Sequence, residues 1–437
     1  MYSKFKQPLI AIALSFSAAP NLASAYSLEQ AVAQALADHP EIRSAYHDYR
    51  SRVEEVGIAK GDYRPSIDLN AGVGVEKYNN ANNKGDFEPY DVTLTFRQLL
   101  WDGWATSANI DRTEWEAEAQ RYQLIADAED KALRVAEVYI ESLKTRELLE
   151  LAEANFKVHR RIYNDIRRRT ESGIGSVADQ VQVEARVARS QSNLLAARNN
   201  LLDSESNYLR VVGRRPLAVV NPEVDATKLP VSLEEALYLA EEFHPRVKVA
   251  TTDIEAALSQ YESRRGVMMP TFTIEATQQW GEDLNGSAGR TDETSAMLRM
   301  NFNLYNGGSD SAQSKQAAYQ IDKSKDVRDN TLRMLTEGVR LSWSALELTL
   351  EQRIFLEEHV DAAAETVIAY EKQFRIGKRT LLDVLNTENE LFEARQSYIN
   401  AYYDELLAKY RVLNSTGRLL ASLRVKLPEE WSESVVD

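Results

Sequence analysis

From residue 66 the chain alternates. Ile67, Leu69, Ala71, Val73 and Val75 fall on one side, and Ser66, Asp68, Asn70, Gly72 and Gly74 on the other. Period two is the signature of a strand with unlike faces. The polar stretch YNNANNKGDF (78–87) turns the chain, and Val92, Leu94 and Phe96 bring it back. The pattern recurs late in the sequence. Phe272, Ile274 and Ala276 alternate with Thr271, Thr273 and Glu275. GEDLNGSAGRTDE (281–293) makes the turn, and Ala296, Leu298, Met300, Phe302 and Leu304 return. Four strands in two hairpins are predicted, near 65–77, 88–100, 270–280 and 294–305.

After Gly103 and after Gly307-Gly308 the period changes and stays helical, without proline, over 104–170 and 308–374. In the first span the apolar steps run Leu133, Ala136, Ile140, Leu143, then Leu148, Leu151, Val158, Ile162 and Ile166. The slip between 143 and 148 absorbs the drift of 3.6 residues per turn against a seven-residue repeat. At 1.5 Å per residue each helix is a rod of roughly 100 Å. Return helices are predicted over 176–212 and 380–418. Ahead of each hairpin a short helix ends at His39-Pro40 or His244-Pro245, because the residue before proline is pushed out of the helical region. A helix of about two dozen residues then runs to Gly61 or Gly266.

These elements occur twice. Ser27-Leu28-Glu29 recurs as Ser232-Leu233-Glu234, His39-Pro40 as His244-Pro245, and Pro65 as Pro270, all offset by 205. Gly103 matches Gly307, Gly173–Ser176–Asp179 matches Gly377–Thr380–Asp383, and Gly213-Arg214 matches Gly417-Arg418, offset by 204. So many landmarks in one register indicate a tandem duplication, with repeats at 26–231 and 232–420. The tail 421–437 has no counterpart and is left unassigned.

The chain has 437 residues, no cysteine and a formal charge of −15. Residues 1–25 read as an export signal: Lys4 and Lys6, an apolar run from Leu9 to Ala19, and Ala23-Ser24-Ala25 as the cleavage site. Without a thiol no N-terminal cysteine can carry a lipid anchor. No later stretch is apolar enough for a transmembrane helix, and the acidic balance disfavours nucleic acid. The five histidines are scattered, and no metal or catalytic motif is present. The sequence predicts no enzyme and no cofactor.

Strands of about ten residues with one apolar face suit a transmembrane barrel wall. Such a wall must close in lipid, and four strands cannot close. Three protomers would supply twelve strands over twelve helical columns. Trp101, Trp104, Tyr63 and Tyr305 gather where strand becomes helix. They form either an interfacial girdle or ordinary junction packing.

The duplicated plan, the LWDG and LYNGG strand exits (100–103, 304–308) and FRIGKRTLLDVLNTENELFEARQSY (374–398) resemble the TolC family of outer-membrane channels. RRRTESGIGSVADQVQVEARVARSQSNLL (167–195) and TLLDVLNTENELFEAR (380–395) look most like the outer-membrane partner of type I secretion systems that export large adhesins. The resemblance implies a homotrimer in the outer membrane: a twelve-stranded barrel continuing into a long periplasmic α-helical coiled-coil tunnel. It also implies an adaptor, an inner-membrane ABC transporter and a protein cargo. Two rivals stand beside it, a drug-efflux channel of the same architecture and a periplasmic coiled-coil scaffold without a pore.

By family position Asp383 would ring the mouth, with Asn386 standing where a second acidic ring is frequent. Arg379 and Asp179 would latch the closed state. Phe374 replaces the usual tyrosine and Ala178 a frequent hydroxyl. The tips Gly173, Ile174, Gly175 and Ile376, Gly377, Lys378 would meet the adaptor; Arg167-Arg168-Arg169 beside them reads either as a docking aid or as a solvated helix face. Ser176 and Thr380 also read as N-caps, three residues before acids in the capping-box spacing.

Overall fold

The computed structural model describes residues 26–79, 84–216 and 219–436; the export signal expected at 1–25 lies outside them. The first repeat begins with α1 (Leu28–Asp38) and α2 (Pro40–Gly61). Ser27 closes a capping box with Gln30, and His39 ends α1 and accepts from the Glu41 N–H to start α2. Then come β1 (Ser66–Val73), β2 (Glu76–Asn79), β3 (Lys84–Phe87), β4 (Tyr90–Trp101), α3 (Ala105–Glu171) and α4 (Val177–Val212). The second repeat gives α5 (Leu233–Phe243), α6 (Pro245–Gly266), β5 (Thr271–Glu282), β6 (Arg290–Asn301), α7 (Ser309–Arg375) and α8 (Leu381–Ser415). Two short helices, α9 (Leu419–Ser422) and α10 (Glu429–Ser432), follow.

Several sequence expectations change, among them the strand expected over 294–305, which ends at Asn301. The strand expected to 77 ends at Val73, and the polar turn at 78–87 is largely a second small hairpin, β2–β3, standing on the main sheet. The ladder breaks where the Gly74 N–H bonds the Pro89 carbonyl, since proline has no N–H to return. The turn expected over 281–293 is shorter, because the polar residues Arg290–Thr294 still pair with β5. The return helix expected to 418 stops at Ser415, ahead of Gly417 at φ 68.

The main sheet runs β1-β4-β5-β6, antiparallel throughout, so β4 and β5 join the two repeats and β1 and β6 are open edges. Its register lines up Ile67, Phe96, Ala276 and Ala296 as one row. Below the sheet the helices form a single-layer wall. In its upper half α3 packs against α2 and α6, in its lower half against α4 and α8, and α7 closes one end against α6 and α8. The far sides of α7 and of α2 and α4 have no partner among the described residues.

The free sides of α7 and α4 are apolar. Val339 and Leu346 of α7 are buried in the wall. Two residues on, about 200° round the helix, stand Leu341 and Leu348, in a row spaced by seven with Phe355 and exposed by 61–66%. On α4 the buried residues Val183, Ser190 and Ser204 are shadowed in the same way by Val181, Ala188 and Leu202.

Thirty buried residues form one core at mid-height, around α1, the middle of α3 and the C-terminal part of α8. The tail is part of it. Glu129 of α3, 5% exposed, accepts the Leu419 and Leu420 N–H groups at 3.1 and 3.3 Å and so caps α9. The buried pair Glu118–Arg121 receives the Val435 N–H at 3.2 Å and donates to the Trp431 carbonyl at 2.9 Å. Trp431, 5% exposed, stacks on Tyr46 of α2. The unassigned tail is a clasp from the end of the second repeat back to the first.

Burial raises the Glu129 carboxyl to about 7, outweighing the two N–H bonds that favour its anion. The folded state therefore holds this proton more tightly than the unfolded chain. That contribution to stability is fully present below about pH 4.5 and is lost as pH rises through 7, a change of up to about 3 kcal/mol. Glu129→Gln keeps an acceptor without the charge, and we expect it to flatten this loss. Thermal melts and limited proteolysis of the tail at pH 5 and pH 8 check it; a parent protein equally resistant at both values rules it out.

Candidate functional site

The candidate site is the far end of the wall, where the two hairpins turn. Each long helix ends on a glycine in the left-handed region, Gly173 at φ 75 and Gly377 at φ 77, a conformation that costs other residues a Cβ clash. The closing bonds match: Ile174 N–H to Arg169 O at 3.0 Å, and Lys378 N–H to Gln373 O at 2.9 Å. The first turn is tighter. A Cβ on Gly175 would stand 2.8 Å from the Thr170 nitrogen. Ile174 and Ile376 project at 84% and 67% exposure, and Lys378 is exposed beside them.

The two N-caps differ. At α8 the capping box is complete: Asp383 accepts from the Thr380 N–H at 3.0 Å and from its hydroxyl at 2.9 Å, and the Thr380 hydroxyl accepts from the Asp383 N–H at 3.2 Å. These bonds to the Thr380 backbone and side chain hold the Asp383 carboxyl below its usual value, with Arg379 adding to them. At α4 Ser176 accepts from the Ala178 N–H at 3.1 Å instead, so the box expected with Asp179 does not form.

The expected latch residues do not meet inside one chain. Arg379 donates to Gln373 at 3.1 Å and lies 4.2 Å over the Tyr370 ring, turned to its own hairpin rather than to Asp179. Phe374 lies under the Arg169 guanidinium, 5.5 Å from the ring centre. It packs on the buried layer Ile166, Val183, Leu381 and Leu385, which joins both hairpins.

Two links were missed in the sequence. Arg186 of α4 donates to Asn386 of α8 at 3.1 Å, and Arg161 of α3 pairs with Glu371 of α7 at 3.3 Å. Both flank the apolar layer, so the seven-residue spacing that marks Val183 and Leu385 as buried marks their polar neighbours as cross-hairpin partners. Behind Arg186, His159 is 3% exposed, and burial pushes its imidazole below the usual value, with Arg186 adding to the effect.

Exposed pairs of this kind contribute about 0.5 kcal/mol each. In planar bilayers the double variant Arg161→Ala/Arg186→Ala is expected to conduct more, or open more often, than the parent channel. Identical traces would leave the apolar layer as the sole fastening of the tip.

The family model described as "Outer membrane efflux protein" matches residues 31–214 and 236–418, one match per repeat. The outer membrane efflux protein BepC of Brucella suis is 28% identical, with 94% of this chain and 91% of that protein aligned. The outer membrane protein TolC of Escherichia coli is 24% identical over 94% of this chain and 86% of its own length. The alkaline protease secretion protein AprF of Pseudomonas aeruginosa is 24% identical over 88% and 83%. In three dimensions the open-state MtrE channel of Neisseria gonorrhoeae superposes with a TM-score of 0.78 at 15% identity, covering 96% of this chain and 98% of that one. VceC of Vibrio cholerae gives 0.77 at 17% identity over 90% and 96%. An outer-membrane localisation and a conducting role follow, and a poreless scaffold and an enzyme are set aside. With two matched segments spanning most of its length, this chain belongs to the outer membrane efflux protein family, the TolC family of trimeric channels.

Proposed function

We infer that this channel is the exit duct of a type I secretion system, passing a protein, in the first instance a large adhesin, from an inner-membrane ABC transporter and its adaptor to the cell surface. The observation that carries this reading is the light fastening of the tip. At the tip one apolar layer, the Arg169–Phe374 contact and two exposed polar links hold the hairpins together, and the position of a second acidic ring is an amide engaged by Arg186. A mouth so held dilates at small cost and presents one acidic ring rather than two to an unfolded polypeptide. Relatives named for protein secretion, AprF and the PrtF of Dickeya chrysanthemi, align along most of the chain. In this reading Asp383 rings the mouth, and Gly173, Ile174, Gly175, Ile376, Gly377 and Lys378 meet the adaptor.

A second reading, small-molecule efflux, rests on the higher identity to BepC. A deletion strain separates the two. Loss of one giant surface protein with unchanged dye and detergent sensitivity supports secretion, whereas raised sensitivity with an intact secretome moves the duct to efflux.

The ring role has its own test. Asp383→Asn keeps an acceptor for the cap and removes the charge, so single-channel conductance and cation preference are expected to change while the trimer survives. Unchanged cation preference removes Asp383 from the mouth.

A further inference from the structure

We propose that α7 of one protomer packs antiparallel on α4 of the next in one specific register, with Leu348 facing Leu202 of the neighbouring copy, whichever cargo the duct carries. Two independent observations give this register.

The first is the exposed rows. On α7 the free side carries Leu341, Leu348 and Phe355, continued at the same spacing by Ala362, Ala369 and Ile376. On α4 it carries Val181, Ala188, Leu195, Leu202 and Leu209, with Ile174 exposed in the turn ahead of the helix. Rows spaced by seven on two long helices are the seam of a coiled coil. Both reach their hairpin tips, at Ile376 and Ile174. Run antiparallel from the tips, they pair Ile376 with Ile174, Ala369 with Val181, Ala362 with Ala188, Phe355 with Leu195, Leu348 with Leu202 and Leu341 with Leu209.

The second is the duplication. Inside the chain α3 packs antiparallel on α8, with the Tyr403 hydroxyl donating to Glu147 at 2.9 Å and Arg411 reaching Glu137 at 3.6 Å. Across the missing boundary α7 takes the place of α3, and the neighbour's α4 that of α8. Moving Glu147 forward and Tyr403 back by the repeat offset of 204 sets Glu351 level with Asn199. Three residues along each helix from that pair, in opposite directions, are Leu348 and Leu202. The Tyr403–Glu147 bond and the exposed rows thus give one register, and the longer Arg411–Glu137 pair falls within two residues of it.

The seam has a shape with a consequence. Its upper pairs are Leu with Leu and Phe with Leu, while the pairs nearer the tip are Ala with Ala and Ala with Val. Small residues let helices approach more closely. The corresponding layer of the α3–α8 contact holds Val158 and Phe392. The joint between protomers is therefore the narrower joint near the tip, and the tunnel tapers there through its seams.

The chain has no cysteine, which gives a clean test in the full-length trimer in outer membranes. Leu202→Cys with Leu348→Cys is expected to yield an oxidant-dependent covalent trimer on denaturing gels. Leu202→Cys with Leu341→Cys or with Phe355→Cys is displaced by one seven-residue step, about 10 Å, beyond disulfide reach. Ala188→Cys with Ala362→Cys repeats the measurement nearer the tip, should the leucine pair disturb assembly. Cross-linking by the in-register pairs and its absence in the displaced pairs supports the seam. Cross-linking by a displaced pair, or by no pair in protein that still runs as a native trimer, overturns it.

Discussion

A sheet with two open edges governs this molecule. β1 and β6 each present a row of unpaired backbone groups, and in hydrocarbon every such group costs several kcal/mol. One chain has no way to pay that debt, because four strands are too few to close. The same shortage appears in the helical wall, where α4 and α7 end in exposed apolar rows. Both deficits lie on the same two flanks of the protomer, so one operation, apposition of a like copy, satisfies sheet and wall together. Membrane insertion and assembly are thereby a single problem for this fold.

Duplication supplies a wall of even columns, yet the repeats are not interchangeable. The first repeat holds the core, with α1 bedded on α3, whereas α5 on α7 is backed by a smaller cluster around Ala236, Ala240 and Val339. The tail adds to the inequality by binding to α2 and α3 of the first repeat. Buried carboxylates do this work: Glu129 and Glu118 accept backbone N–H groups that would otherwise be orphaned in the core. The end of the chain is thus fixed to its beginning, which keeps α8 from sliding along α3.

Much of this was legible in the sequence because periodicity reports burial. Two rods of 67 residues, the His-Pro junctions and the glycine turns all follow from local rules. The β2–β3 hairpin did not, since Lys84–Phe87 is polar and pairs through its backbone. The tail was opaque for another reason. LPEEWSESVVD has no period, and its place depends on Glu118, Arg121 and Tyr46, some 300 or more residues earlier. At the tip the turns, Asp383 with its cap partner Thr380, and Asn386 were visible, but the partners across the hairpins were not. Arg186 and Glu371 lie on helices with many charged residues, and their neighbours are fixed only by the meeting of two hairpins.

Along the rod, fastening is uneven. At mid-height thirty buried residues lock α1, α3, α8 and the tail together, while the last turns before the tip share four. Local opening free energy follows buried apolar contact, so the wall is rigid at its middle and loosely held at its end. A displacement applied at the tip then has one place to go. The hairpins part below the core, and the core, the barrel and the seams above it stay as they are. A duct that must be tight at rest and wide in use gains from that gradient, because opening need not disturb the closure on which the membrane-embedded half depends.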